Sequence, residues 1–256
     1  MSPSTSTCYK IRHPLKADFS NLELVQRETP QPTGREVLVR IKAVSLNARD
    51  AQITSGRYPA PIDVEAGRTP VSDGAGEVVA IGDQVKRVEV GDRVLTTFTQ
   101  GWLHERLMDN FQDFSLGGGI DGCLSEYFLC DQDGLVHTPK HLTDVEACTL
   151  VAAQLTAWNS LYEQPGAFLL PGQTVLVLGT GGVSIGALQL AVASGARVIA
   201  TSSSDEKLER AKKLGAFATI NYKTHPEWHE EVKKITNGEG VDHVIEGEQL
   251  AMIAAT

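Results

Sequence analysis

The stretch from Val175 to Gly195 constrains this chain more than any other. Val175 to Leu178 is a short, unbroken apolar run, as in a parallel strand buried on both faces. Gly179, Gly181 and Gly182 follow at once, and Val183, Ala187, Leu190 and Ala191 then recur at helical spacing. Strand, glycine turn and helix make the opening of a nucleotide-binding βαβ unit, in which a pyrophosphate approaches the backbone and sits at the helix N-terminus. A side chain at Gly179 or Gly181 would block that approach.

The fingerprint departs from the usual pattern at its third glycine, where Ser184 stands, with Gly186 two residues on. A lone glycine pattern also fits a plain strand-to-helix turn. The flanking strand and helix, and a second strand at Arg197 to Thr201 after Gly195 and Ala196, favour the dinucleotide site. Thr180 and Val183 then join Gly179, Gly181 and Gly182 as cofactor-binding positions.

The chain has 256 residues, enough for one large or two ordinary domains with a sizeable core. A net charge of −9 argues against nucleic acid as a partner, and no apolar run is long enough to cross a membrane. Met1 to Thr7 lacks a basic end followed by an apolar core and reads as a short disordered tag, not a secretory signal. Cys8, Cys123, Cys130 and Cys148 are scattered, with no CxxC pair. They read as isolated thiols in a reducing cytoplasm, without a disulfide framework or structural zinc.

Residues 1–150 read as β-rich. Val37, Val39, Ile41 and Ala43 alternate with Leu38, Arg40 and Lys42, as in a half-buried strand, and Asn47 to Ser55 fits a short helix. Gly56 to Pro70, with Pro59, Pro61 and Pro70, reads as loop. Glu77 to Ile81, Arg93 to Leu95 and Leu124 to Cys130 read as further strands, and Trp102 to Gly122 as a surface loop. Short strands with regular turn signals predict a partly closed barrel. Near Leu142 the period becomes helical: Thr143 to Glu146 has the form of a capping box, and a second helix spans roughly Gln154 to Tyr162. Pro165 and Pro171 mark the loop into the strand at Val175, and the domain boundary falls near Val151, leaving 151–256 as the nucleotide-binding domain.

A β-rich first half, Leu155 to Trp158 and then the βαβ unit together resemble the medium-chain dehydrogenase/reductase superfamily. The motifs that carry the resemblance are Val44 to Asp50, Ser72 to Val79, Val90 to Val94 and Gly179 to Ser184, within a match from about Leu22 to Glu246. The branch it resembles is the zinc-independent, quinone-oxidoreductase-like group of alcohol dehydrogenase-like proteins. The resemblance implies an α/β protein: a GroES-like β-barrel catalytic domain over 1–150, then an incomplete Rossmann doubly wound parallel sheet over 151–256. It also implies hydride transfer between a nicotinamide cofactor and a small carbonyl, enone, quinone or alcohol.

Zinc-dependent relatives carry a cysteine where this chain has Asn47, and Gly-His-Glu where it has Val71, Ser72 and Asp73. A catalytic zinc needs three protein ligands, and of these residues only Asp73 is a good one. The cysteine-rich lobe that holds a second zinc in those relatives is absent, and seven histidines, among them His104, His137 and His141, show no paired spacing and read as solvated loop residues. The expectation is a zinc-free site that polarises a carbonyl by hydrogen bonds. By resemblance Asn47 and Asp50 lie near the nicotinamide and serve as catalytic residues; a capped helix start accounts for the same two residues equally well.

In NAD sites an acid about 20 residues beyond the glycines bonds the ribose 2′-hydroxyl. Here that strand ends in Thr201, Ser202, Ser203 and Ser204, with no carboxylate at Ser202 to repel a 2′-phosphate. Ser202 and Ser203 can donate to the phosphate and Lys207 can add a charge. Tyr222, after the strand Ala218 to Asn221, matches by resemblance a tyrosine that packs beside the 2′-phosphate. The expected cofactor is NADPH in preference to NADH. The serines also suit the start of the helix near Asp205, and Lys207 suits an exposed surface.

After a helix at Glu227 to Ile235 and a strand at Val241 to Ile245, the residues beyond Glu246 leave the family pattern. Relatives continue with further strands that commonly form a dimer interface, so the sequence reads as C-terminally truncated. The homodimer of full-length relatives is then in doubt for this chain. Two functions follow: a reductase, or a catalytically impaired remnant that keeps only part of the dinucleotide site. With those strands missing, the strand at Val241 becomes a poorly protected edge, and poor stability, association and weak or no activity are expected of the chain as written.

Overall fold

The computed structural model describes residues 3–12, 15–16, 18–58, 67–103, 110–163, 166 and 168–247. Sequence expectations at Pro59, Pro61, His104 and Pro165, and for residues 248–256, lie outside them. The chain divides after Ala152 into two compact units.

The first unit opens with an antiparallel pair, β1 (Thr5–Ile11) and β2 (Leu22–Glu28). The expected disordered tag is therefore corrected at Thr5 to Thr7, which begin β1. Ser6 and Cys8 are buried there, and the Thr7 N–H donates to a Glu126 carboxylate oxygen at 2.6 Å. Next come β3 (Glu36–Ser45), α1 (Ala48–Thr54), β4 (Asp73–Ile81), β5 (Arg93–Thr96), β6 (Tyr127–Asp131) and β7 (Leu135–His137). The last five strands form one antiparallel sheet in the order β6-β3-β4-β5-β7.

Local detail differs from the sequence reading in four places. In β3, Leu38 is as buried as Val37 and Val39, so this end of the strand is covered on both faces. β4 begins four residues before Glu77, through Asp73, Gly74, Ala75 and Gly76, which have no apolar bulk to announce a strand. Small residues are needed because β3 bulges against them: a Cβ on Gly76 would stand 2.2 Å from the Arg40 carbonyl oxygen. β6 begins at Tyr127; just before it the Leu124 carbonyl accepts from Tyr9 and the Glu126 N–H donates to Thr7, both of β1, while the Glu126 carbonyl still accepts from Ile41 of β3. The stretch expected as a surface loop from Trp102 to Gly122 holds a 3₁₀ turn at Phe111–Phe114 and a fully buried Leu116, packed with Val37, Val39 and Phe128. The predicted capping box is present at α2 (Asp144–Ala147), where Glu146 accepts from the Thr143 N–H at 2.9 Å.

The second unit runs α3 (Ala153–Tyr162), β8 (Thr174–Leu178), α4 (Gly182–Ala193), β9 (Arg197–Ser202), α5 (Asp205–Lys213), β10 (Ala218–Asn221), α6 (Trp228–Ile235) and β11 (His243–Glu246). The four strands are parallel, in the order β10-β9-β8-β11. Every residue of β8 is buried, which explains its unbroken apolar run. Val175 and Val177 pack with Ala187, Ala191 and Val198 on one face; Leu176 and Leu178 pack with Ile199, Ile220 and Val232 on the other. The winding direction reverses between β8 and β11, and the carboxyl ends of strands at such a reversal are where ligands bind in open α/β sheets. No strand lies beyond β11 among the described residues.

Candidate functional site

The glycine turn sits at that reversal. Gly179 has φ +78°, a conformation costly for any other residue, and its N–H donates to Thr201 Oγ1 of β9 at 3.1 Å. Gly181 is different. Its φ of −76° and ψ of −179° suit any residue, and a Cβ there would meet no protein atom within 4 Å. Nothing in the described structure demands glycine at 181, so the open space in front of the first turn of α4 fits a ligand that approaches the backbone. The departure at Ser184 also has a reason: its buried hydroxyl donates to the Leu178 carbonyl at 2.8 Å and ties the helix to the end of β8. Close helix packing falls at Gly186, where a Cβ would stand 2.3 Å from the Gln154 amide oxygen on α3.

The carboxyl ends of β9 and β10 bring the other dinucleotide candidates together. Ser202 is buried, and its hydroxyl shares a 3.2 Å hydrogen bond with Thr180 of the glycine turn. Ser203 is half-buried beside it, and Ser204 caps α5 by accepting from the Lys207 N–H at 3.5 Å. The capping role is therefore carried by Ser204, while Ser202 faces the turn. Lys207 is exposed, and the Tyr222 N–H donates to the Ser202 carbonyl at 3.1 Å.

In the first unit, Asn47 and Asp50 bracket the start of α1. Asp50 Oδ2 accepts from the Asn47 N–H at 2.8 Å, and the Asn47 amide donates to Asp73 Oδ2 at 2.9 Å. Asp73 also accepts from the Ser72 hydroxyl and, at 3.2 Å, from the Ala152 N–H. One asparagine thus bridges two buried carboxyl groups. Burial, then the neighbouring Asp73 charge, pushes the Asp50 carboxyl up to about 6 against the pull of the Asn47 N–H. Burial likewise raises Asp73, against the hydrogen bonds from Ser72 and Asn47. Just before them, Val71 holds φ +75°, an outlier for a β-branched residue that costs about 1–3 kcal/mol and clusters at functional sites.

Of the three positions where zinc-dependent relatives carry ligands, one holds a carboxylate, one an amide and one a hydroxyl. The Asn47 amide and the Ser72 hydroxyl each donate to Asp73, and both oxygens of that carboxylate accept hydrogen bonds. Among the described residues no group of three or more His, Cys, Asp and Glu is placed to hold a metal. His137 belongs to β7 and lies 3.1 Å from Asp92, so it is a strand residue and not a loop residue. His141 is exposed. All four cysteines are buried and unpaired.

Sequence reasoning passed over Arg49. Its guanidinium donates to the Leu116 carbonyl and the Ser115 hydroxyl at 2.9 and 2.8 Å, lies over the Tyr58 and Phe98 rings, and draws both Asp50 and Asp73 toward the charged form. Its position between Asn47 and Asp50 was the available signal.

Residues 33–140 match the family model of the alcohol dehydrogenase GroES-like domain, and residues 182–248 that of zinc-binding dehydrogenase. A zinc-type alcohol dehydrogenase-like protein of Schizosaccharomyces pombe is 47% identical over 237 residues, covering 92% of this chain and 68% of the relative. A Sinorhizobium meliloti structure assigned to the alcohol dehydrogenases superposes with TM-score 0.87 at 38% identity, over 96% of this chain and 71% of that one. An NAD-dependent alcohol dehydrogenase superposes with TM-score 0.82 at 35% identity, over 93% and 69%. The chain therefore spans about two thirds of the length of these relatives. No described helix is long and apolar enough to cross a membrane.

Proposed function

Because this chain belongs to the medium-chain dehydrogenase/reductase superfamily, an oxidoreductase family, we propose that it is an NADPH-dependent enzyme that moves a hydride to or from a small carbonyl, enone, quinone or alcohol without zinc. The observation that carries the reading is the turn from Gly179 to Val183, with Gly181 left open and no carboxylate at Ser202. When bound, the nicotinamide supplies the hydride. Gly179 to Val183 would receive the pyrophosphate with backbone N–H groups at the start of α4, where the helix dipole favours anions. Ser203, Lys207 and Tyr222 would hold the 2′-phosphate, and Ser202, bonded to Thr180, would steady the turn.

Asn47 and Asp50 are the proposed catalytic residues. With no metal in the reading, polarisation of the substrate carbonyl falls to hydrogen bonds. The raised carboxyl of Asp50 is suited to hold or release a proton near neutral pH. The support for a zinc-free site is the donor set itself, since one carboxylate with both oxygens engaged leaves two of three ligand places unfilled. The names of the relatives carry zinc and NAD, so the cofactor reading rests on this chain's own residues. Fluorescence titration of the chain with NADPH and NADH tests it. NADPH is expected to bind at least about tenfold tighter, as one charge-assisted phosphate contact implies; equal or tighter NADH binding overturns it.

A further inference from the structure

Two carboxylates follow directly on the serines at the end of β9: Asp205 and Glu206. Either would repel a 2′-phosphate if it turned toward Ser203. Glu206 is drawn along its own helix by Arg210, one turn on. Asp205 is restrained from outside the helix: its Oδ1 accepts a 2.6 Å hydrogen bond from Nδ2 of Asn221, the last residue of β10. The orientation of that amide is fixed by its other end, because Asn221 Oδ1 accepts from the Lys223 N–H at 3.0 Å. The register pairs Asn221 with Ser202 on the adjacent strand, and the next residue, Tyr222, donates its N–H to the Ser202 carbonyl. Asn221 therefore lies beside Ser202 and next to Tyr222 in the chain, while its side chain holds an acid three positions beyond Ser202.

We propose that Asn221 is a specificity-determining residue for the cofactor: it holds the Asp205 carboxylate against the end of β10 and so keeps a negative charge off the 2′-phosphate. The inference rests on the NADPH reading above. Asn221 is a positioning residue, since it acts through Asp205. In a chain without it, the Asp205 side chain is free to turn toward Ser203, where its charge opposes a dianionic phosphate and accepts from a ribose hydroxyl equally well. Discrimination then moves toward NADH although no residue that receives the phosphate has changed.

The test is a double-mutant cycle on the 256-residue chain, with Asn221→Ala, Asp205→Asn and the two together, each titrated with NADPH and with NADH. Asn221→Ala is expected to weaken NADPH about tenfold while NADH changes less than about twofold, as one uncompensated like charge near the phosphate implies. Adding Asp205→Asn should restore the NADPH affinity. If Asn221 merely supports the end of β10, both cofactors weaken alike and Asp205→Asn rescues neither, which overturns the proposal. The unaltered chain is read separately. Equal binding of the two cofactors there defeats the NADPH reading, whereas an NADH-to-NADPH ratio that does not move on Asn221→Ala defeats the role of Asn221.

Discussion

Replacing Gly181 with valine should abolish dinucleotide binding while leaving the fold nearly as stable as before. The backbone at Gly181 is already extended, so a β-branched residue fits its φ and ψ without strain, and no protein atom lies within 4 Å of the new Cβ. The expected stability cost is that of a poorer N-cap for α4, at most about 1 kcal/mol. The effect on binding is of another size. Three branched carbons then occupy the space through which the pyrophosphate reaches the first-turn N–H groups, and affinity is expected to fall by roughly a hundredfold or more, equivalent to about 3 kcal/mol. Gly179→Val provides the contrast: at φ +78° it costs stability as well as binding. Cofactor titration and urea unfolding of the same samples separate the two. A Gly181→Val chain that keeps its affinity would show that the turn is structural only.

The second large effect is at Asp50. Its carboxyl has a folded value of about 6 against 3.8 when free, chiefly because it is buried and then because the Asp73 charge lies near it. The native state therefore holds this proton more tightly than the unfolded chain does. Stability from this group is greatest below about pH 3.8, falls as pH rises through about 6, and is level beyond it. The difference of about 2 pH units corresponds to about 3 kcal/mol. Asp50→Asn keeps an acceptor for the Asn47 N–H and cannot ionise. The variant is expected to be 2–3 kcal/mol more stable than the parent near pH 7.5, about the full cost of the buried charge, with the gap closing toward pH 4. Urea unfolding at the two pH values measures it. A gap that does not change with pH would mean that Asp50 titrates normally in the folded chain. A stabilised variant that has lost turnover is what a proton-handling group predicts, because such groups are kept at a cost in stability.

What could be read in the sequence depended on how local its cause was. The strand, turn and helix from Val175 to Ala193 were legible because a strand buried on both faces shows as an unbroken apolar run, and the φ of Gly179 is a local property that favours glycine. β1 was not, since its inward positions include Ser6 and Cys8, which carry little apolar signal. The start of β4 was hidden for the opposite reason, as Gly74 to Gly76 are small to admit the bulging β3. Asn47 and Asp50 were singled out, but the bridge from Asn47 to Asp73, 26 residues on, and from there to Ala152, exists only in the folded chain. The same holds for Asp205 and Asn221, 16 residues apart in sequence and joined between the start of α5 and the end of β10.

Hydride transfer by a nicotinamide cofactor at a site built without zinc is the function proposed for this chain. The most direct measurement is NADPH oxidation against a simple enone before and after exhaustive treatment with a zinc chelator, with elemental analysis of the same protein. The predicted result is an unchanged rate and no stoichiometric zinc, because the positions in question are Asn47, Ser72 and Asp73. One zinc per chain, with activity that disappears on chelation and returns with the metal, would contradict it.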